Sequence, residues 1–94
     1  MKAEQAETIG LMALAYLAGR EDLLQRFLGE TGMSAGDLRA AAGDPAALGG
    51  ILDFLLGDDS RVLDFAAGAG LRPEDPLRAR HSLPGHHPGD RGAL

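Results

Sequence analysis

The side chains able to do chemistry in this sequence fall into a few small groups, and each group also fits a plain structural role. His81, His86 and His87 gather near the C-terminus. Imidazoles bind zinc, copper and nickel. A structural site, however, wants about four ligands at fixed geometry, and the Ser/Pro/Gly-rich surroundings offer no scaffold, so no metal is expected there. Glu21-Asp22 and Asp58-Asp59 are paired carboxylates that could hold a divalent cation or share a proton if brought together. Helix N-termini select acids in any case, for the cap and for the helix dipole, and capping is the reading taken. Asp53 stands among Leu52, Phe54, Leu55 and Leu56. A carboxylate on so apolar a helix either lies on its one wet edge or needs a cation, for which Arg26, Arg61 and Arg39 are the candidates. Ser34 and Ser60 read as caps and Ser82 as part of a tail. No Gly-x-Ser-x-Gly elbow and no ordered histidine base accompany them. No catalytic residue, metal or cofactor is therefore assigned, and the chain is not expected to be an enzyme.

The arginines support one further reading. Arg39, Arg72, Arg78 and Arg80 could place a small basic surface on two short helices, making the protein a regulatory nucleic-acid binder. Against it stands a formal charge of −5 and a pI near 4.9, which disfavours nucleic acid and anionic membranes as general partners.

The elements that carry these groups can be read from composition. The chain has 94 residues, one small domain. Leu and Ala, strong helix formers, number 16 each, whereas Val, Ile and Thr number 1, 2 and 2; the fold is expected to be all-α. With no cysteine, disulfides, thiolate metal sites and cysteine nucleophiles are excluded. The longest polar-free run, Ile9 to Gly19, falls short of the roughly 20 residues that span a bilayer. With no basic n-region leading to a cleavage site, a cytoplasmic protein is expected.

Five to six helices are predicted. Helix A runs from about Glu4 to Ala18, stopped by Gly19 in a left-handed conformation. Helix B covers about Glu21 to Thr31. Ser34 with Asp37 forms a capping box that opens a short helix C, to Ala42. Asp44-Pro45 starts helix D and Gly57 closes it. Asp58, Asp59 or Ser60 caps helix E, which ends before Gly70, and Pro73 starts a helix F that reaches His81. Residues 1–81 form the domain, and 82–94 are expected to be a disordered tail. The pair Gly49-Gly50 either marks a close approach inside helix D or means that the helix begins late.

An internal repeat accompanies this order. Displaced by 38 residues, Leu14, Leu17, Gly19, Phe27, Gly32 and Asp37 fall on Leu52, Leu55, Gly57, Phe65, Gly70 and Asp75. One inserted residue then aligns Leu38-Arg39-Ala40 with Leu77-Arg78-Ala79. The units, about 10–42 and 48–81, would be two copies of one three-helix element, each completing the other's core. Helices A and D, apolar almost all round, would meet at the centre.

Glu7-Thr-Ile, Leu14-Ala-Tyr-Leu17, Arg26-Phe-Leu28, Thr31-Gly-Met33, Leu52-Asp-Phe-Leu-Leu56 and Phe65-Ala-Ala67 with Gly70-Leu71 resemble a family of small all-helical proteins of unknown function found in alphaproteobacteria. The resemblance covers about Glu7 to Leu83. It implies a helical fold and brings no catalytic or binding residues with it. Helices with more apolar surface than a domain this size can cover point to a non-enzymatic helical module that binds protein, with a second copy of itself among the candidates. Leu11, Tyr16 and Leu56 are the expected contact residues, because they lie on faces that a single core cannot use at once.

Overall fold

The computed structural model describes residues 1–84. The expected tail is touched only at its start, and His86 and His87 lie outside the described residues. Six α-helices succeed one another: α1 (Ala3–Ala18), α2 (Glu21–Thr31), α3 (Ala35–Ala40), α4 (Pro45–Leu56), α5 (Asp59–Ala69) and α6 (Asp75–His81), with a 3-10 turn, Ala41–Gly43, after α3. Among the described residues there is no strand.

The helix ends are set by local chemistry. Ser34 Oγ accepts from the Asp37 N–H while the Asp37 carboxylate accepts from the Ser34 N–H, both at 3.0 Å. The bond from the Ser34 N–H, and after it the Ser34 hydroxyl, holds the Asp37 carboxyl below the usual aspartate range. Asp44 Oδ1 caps α4 ahead of Pro45, and Asp58 Oδ1 caps α5. Gly32 and Gly70 end α2 and α5 with φ of 75° and 72°, the left-handed conformation that glycine adopts without a Cβ clash.

Several expected details differ. Gly19 is not left-handed; its φ is −86°, and the chain turns into α2 through an extended Arg20 instead. Arg20, not an acid, is the N-cap of α2, so Glu21 and Asp22 occupy the first turn and answer the dipole rather than cap. Ser60 likewise sits inside the first turn of α5, behind the Asp58 cap. The sixth helix begins at Asp75 instead of Pro73: the Asp75 carboxylate accepts from the Arg72 N–H at 3.0 Å, and Pro73-Glu74 become the turn ahead of it. Just past His81, Leu83 is only 7 % exposed and Ser82 Oγ donates to the Met1 carbonyl at 2.9 Å.

Helices α1 and α4 make the most extensive contact of any pair. Between them lie Ile9, Ala13 and Leu17 of α1 and Leu48, Ile51, Leu52 and Leu55 of α4, all buried. At Gly10 the two helices approach so closely that a Cβ there would lie 2.8 Å from the Cβ of Leu48. α4 also packs on α5, on α6 and on the 3-10 turn, while α1 reaches α6 and α2. Phe27 and Phe65, both buried, plug the two flanks. Phe27 meets Phe54 edge-on at 5.2 Å, and Phe65 meets Tyr16 at 5.5 Å.

The two glycines of α4 have different surroundings. Helix α4 begins at Pro45, ahead of both. A Cβ at Gly49 would lie 2.9 Å from Arg80 Nη1 and 3.1 Å from the Pro84 carbonyl oxygen, whereas one at Gly50 would meet nothing. The close approach is real at Gly49, and its occupant is a guanidinium.

Candidate functional site

Arg80, on α6, is the partner of Asp53. Its Nε donates to Asp53 Oδ1 at 2.7 Å, and its Nη1 faces the carbonyls of Leu83 and Pro84. Arg80 is 4 % exposed, whereas the Asp53 side chain is 44 % exposed. The arginines expected to serve Asp53 are engaged elsewhere: Arg61 donates to the Phe54 carbonyl at 2.8 Å and lies over the Phe54 ring, and Arg26 pairs with Glu30. This ion pair ties α6 to α4 and fixes the chain leaving α6. It is architecture, not a site.

The same placement dismantles the arginine set. Arg80 points into the protein and cannot reach a phosphate backbone. Arg72 is met by Glu74 and Asp75. Arg78 lines a cleft of about 410 Å³ with Met1, Gln5, Thr8, Arg72 and Asp75, and Arg39 stands apart on α3. The paired acids do not converge either: among the described residues no group of three or more His, Asp or Glu is arranged to hold a metal. No helix there is long and apolar enough to cross a membrane.

A groove of about 670 Å³ lies between α1 and α5. Met12, Ala15 and Tyr16 form one wall, and Phe65, Gly68 and Ala69 the other. It is open because the sequence puts small residues on the facing turns: Ala67, Gly68 and Ala69 offer little side chain, and a Cβ at Gly68 would touch nothing. Met12, 38 % exposed, stands at the rim. Leu11 is 43 % and Leu63 49 % exposed, and each lies one helical turn from a lining residue, Ala15 and Ala67, so both extend the apolar face outward.

The polar end of the groove is a three-residue cluster. The Tyr16 hydroxyl donates to Asp64 Oδ2 at 2.7 Å, and Arg20 Nη2 meets the same oxygen at 2.6 Å. Arg20 also lies over the Tyr16 ring, 5.0 Å from its centroid. Burial, then the Asp64 hydrogen bond and charge, push the Tyr16 phenol above its ordinary value, with Arg20 and Arg61 opposing. The cluster joins α1 to α5 at the end of the groove. Past it, a polar depression of about 300 Å³ continues between Asp22, Ser60 and Arg61.

Of the three expected contact residues, Tyr16 lines the groove and Leu11 flanks it. Leu56, half-buried at the end of α4, is not among the lining residues. Sequence reasoning misses Asp64, Phe65 and Gly68. Asp64 looks like any exposed helical acid in sequence, and its partners Tyr16 and Arg20 are 48 and 44 residues away. The 38-residue correspondence could have drawn attention to Phe65 alone.

A family model described as a protein of unknown function, DUF3572, matches residues 3–86. No curated protein and no solved structure matches the chain.

Proposed function

We propose that this chain, which belongs to the DUF3572 family of proteins of unknown function, is a non-enzymatic helical interaction module of the cytoplasm whose docking face is the α1–α5 groove. The observation that carries the reading is a groove with apolar walls and Met12 exposed at its rim, with two more exposed leucines, Leu11 and Leu63, each one helical turn from a lining residue. Scattered apolar residues are ordinary on a protein surface, whereas a contiguous apolar face beside a concavity marks an interaction site. Self-association is the form of this reading in which the partner is a second copy. The nucleic-acid alternative is left with Arg39 and Arg78, on a chain of net charge −5.

Affinity capture of the tagged protein from its own cells tests the reading, with Met12→Glu and Leu77→Glu compared. Leu77 is also exposed but lies on α6. A stoichiometric partner lost with Met12→Glu and kept with Leu77→Glu supports the groove. Equal retention by both variants refutes it.

We read the bundle, further, as two copies of one unit, about 10–42 and 48–81. Three correspondences support this. The 38-residue displacement turns the pair Tyr16–Phe65 into Phe54–Phe27, and both are edge-on contacts. Gly10 packs against Leu48, its own counterpart. The Ser34 N–H to Asp37 carboxylate bond recurs as Arg72 N–H to Asp75, both at 3.0 Å. In such an exchange each unit covers the other's core.

A further inference from the structure

We infer that the α1–α5 groove receives an amphipathic helix of a partner protein, apolar along one face and carrying a lysine or arginine at the edge of that face. The inference rests on the reading of the groove as the docking face and adds what the partner must look like. A trough between two helices, walled by Met12, Ala15, Tyr16, Phe65, Gly68 and Ala69, has the shape that takes a helix by large residues at i, i+4 and i+7.

The partner's charge is set at the polar end. Asp64 Oδ2 is occupied twice, by the Tyr16 hydroxyl and by Arg20. Asp64 Oδ1 has no hydrogen-bond partner among the described residues, and the side chain is 50 % exposed. A carboxylate oxygen can only accept, so the group that completes this one is a donor, and a cationic donor makes the stronger, charge-assisted bond. Arg20 and Asp64 are the only charged residues among the described ones that line the groove. The net charge of −5 opposes the approach of a second copy and steers a basic partner inward.

A library of helical peptides with one randomised face, selected on the intact protein, tests this. Gly68→Leu puts a side chain into the groove from a position whose Cβ would meet nothing, and a helix prefers leucine to glycine. The expected result is enrichment of large apolar residues at i, i+4 and i+7 beside a lysine or arginine. Binding should fall at least about tenfold on Gly68→Leu, and the basic preference should vanish when the selection is repeated on Asp64→Asn. Peptides that need the open groove but show no basic preference overturn the inference and leave the docking reading standing. Peptides indifferent to Gly68→Leu, or no binders at all, overturn both. A protein dimer broken by Gly68→Leu and displaced by the peptides replaces the basic helix with a second copy.

Discussion

The Tyr16 hydroxyl donates to Asp64 Oδ2 at 2.7 Å, joining α1 to α5 across 48 residues of sequence at the polar end of the groove. The same oxygen holds Arg20. One carboxylate thus fixes the ring that forms part of the apolar wall and the guanidinium that covers it.

Tyr16 is the only tyrosine and there is no tryptophan, so its ionisation can be tracked by ultraviolet absorbance. The midpoint in the folded protein is expected above the ordinary value of about 10, and Asp64→Asn should lower it. Because the folded value is raised, the associated stability is complete below the unfolded value and is lost as pH rises through the folded one. Urea melts from about pH 8 to about pH 11.5, a range that brackets the ordinary tyrosine value, should show this loss for the parent and not for Tyr16→Phe. A midpoint at or below the ordinary value contradicts the geometry.

Three glycine-to-alanine substitutions separate close approach from propensity. Gly50→Ala should stabilise the protein by about 0.5–1 kcal/mol, as alanine does in an open helix position. Gly10→Ala should destabilise it by about 1–3 kcal/mol, because the new methyl meets the rigid Cβ of Leu48. Gly49→Ala should also destabilise, since Arg80 is held by Asp53 and cannot swing away from the methyl without giving up that bond. Denaturant midpoints order the three, and equal stabilisation by all would rule out the α1–α4 and α4–α6 packing described.

The Asp53–Arg80 pair should behave as a coupled unit. Asp53→Ala is expected to cost about 1.5–3 kcal/mol, the range for hydrogen bonds to a charged group, because it leaves a buried guanidinium short of its anion. In an Arg80→Met background the same substitution should cost close to nothing. Additive costs in that double-mutant cycle contradict the pairing.

If the two units complete each other's core, neither half folds alone. Fragments 1–43 and 44–94 should each show weak helical circular dichroism, and an equimolar mixture should regain helix. An isolated half that melts cooperatively argues against the exchange.

Much of this fold is legible along the chain. Leucine and alanine in place of β-branched residues predict helices, and Ser34 with Asp37, Asp44-Pro45, Asp58, Gly32 and Gly70 mark their ends, because caps and left-handed stops act within a few residues. Gly19 resembles Gly32 in sequence but differs in conformation, since a single extended residue, Arg20, carries the chain from it into the next helix. Asp53 reads as lying on the wet edge of its helix or needing a cation; it is exposed and also paired, but its arginine lies 27 residues away, and nothing local separates Arg80 from Arg61. Gly49 and Gly50 are identical as letters, and only the helix crossing above them tells which one is covered. The groove is half legible: Tyr16 and Leu11 stand out as surplus apolar surface, while Asp64 and Gly68 acquire meaning only once α5 lies beside α1.

Photocrosslinking in the protein's own cells tests the docking face most directly. A benzophenone amino acid replacing Met12, at the groove rim, should give a discrete crosslinked band containing a second protein, and adding Gly68→Leu should abolish it. The same probe at Leu77 should give none. No crosslink from position 12, or an identical band from both positions, would contradict a groove that works by binding protein.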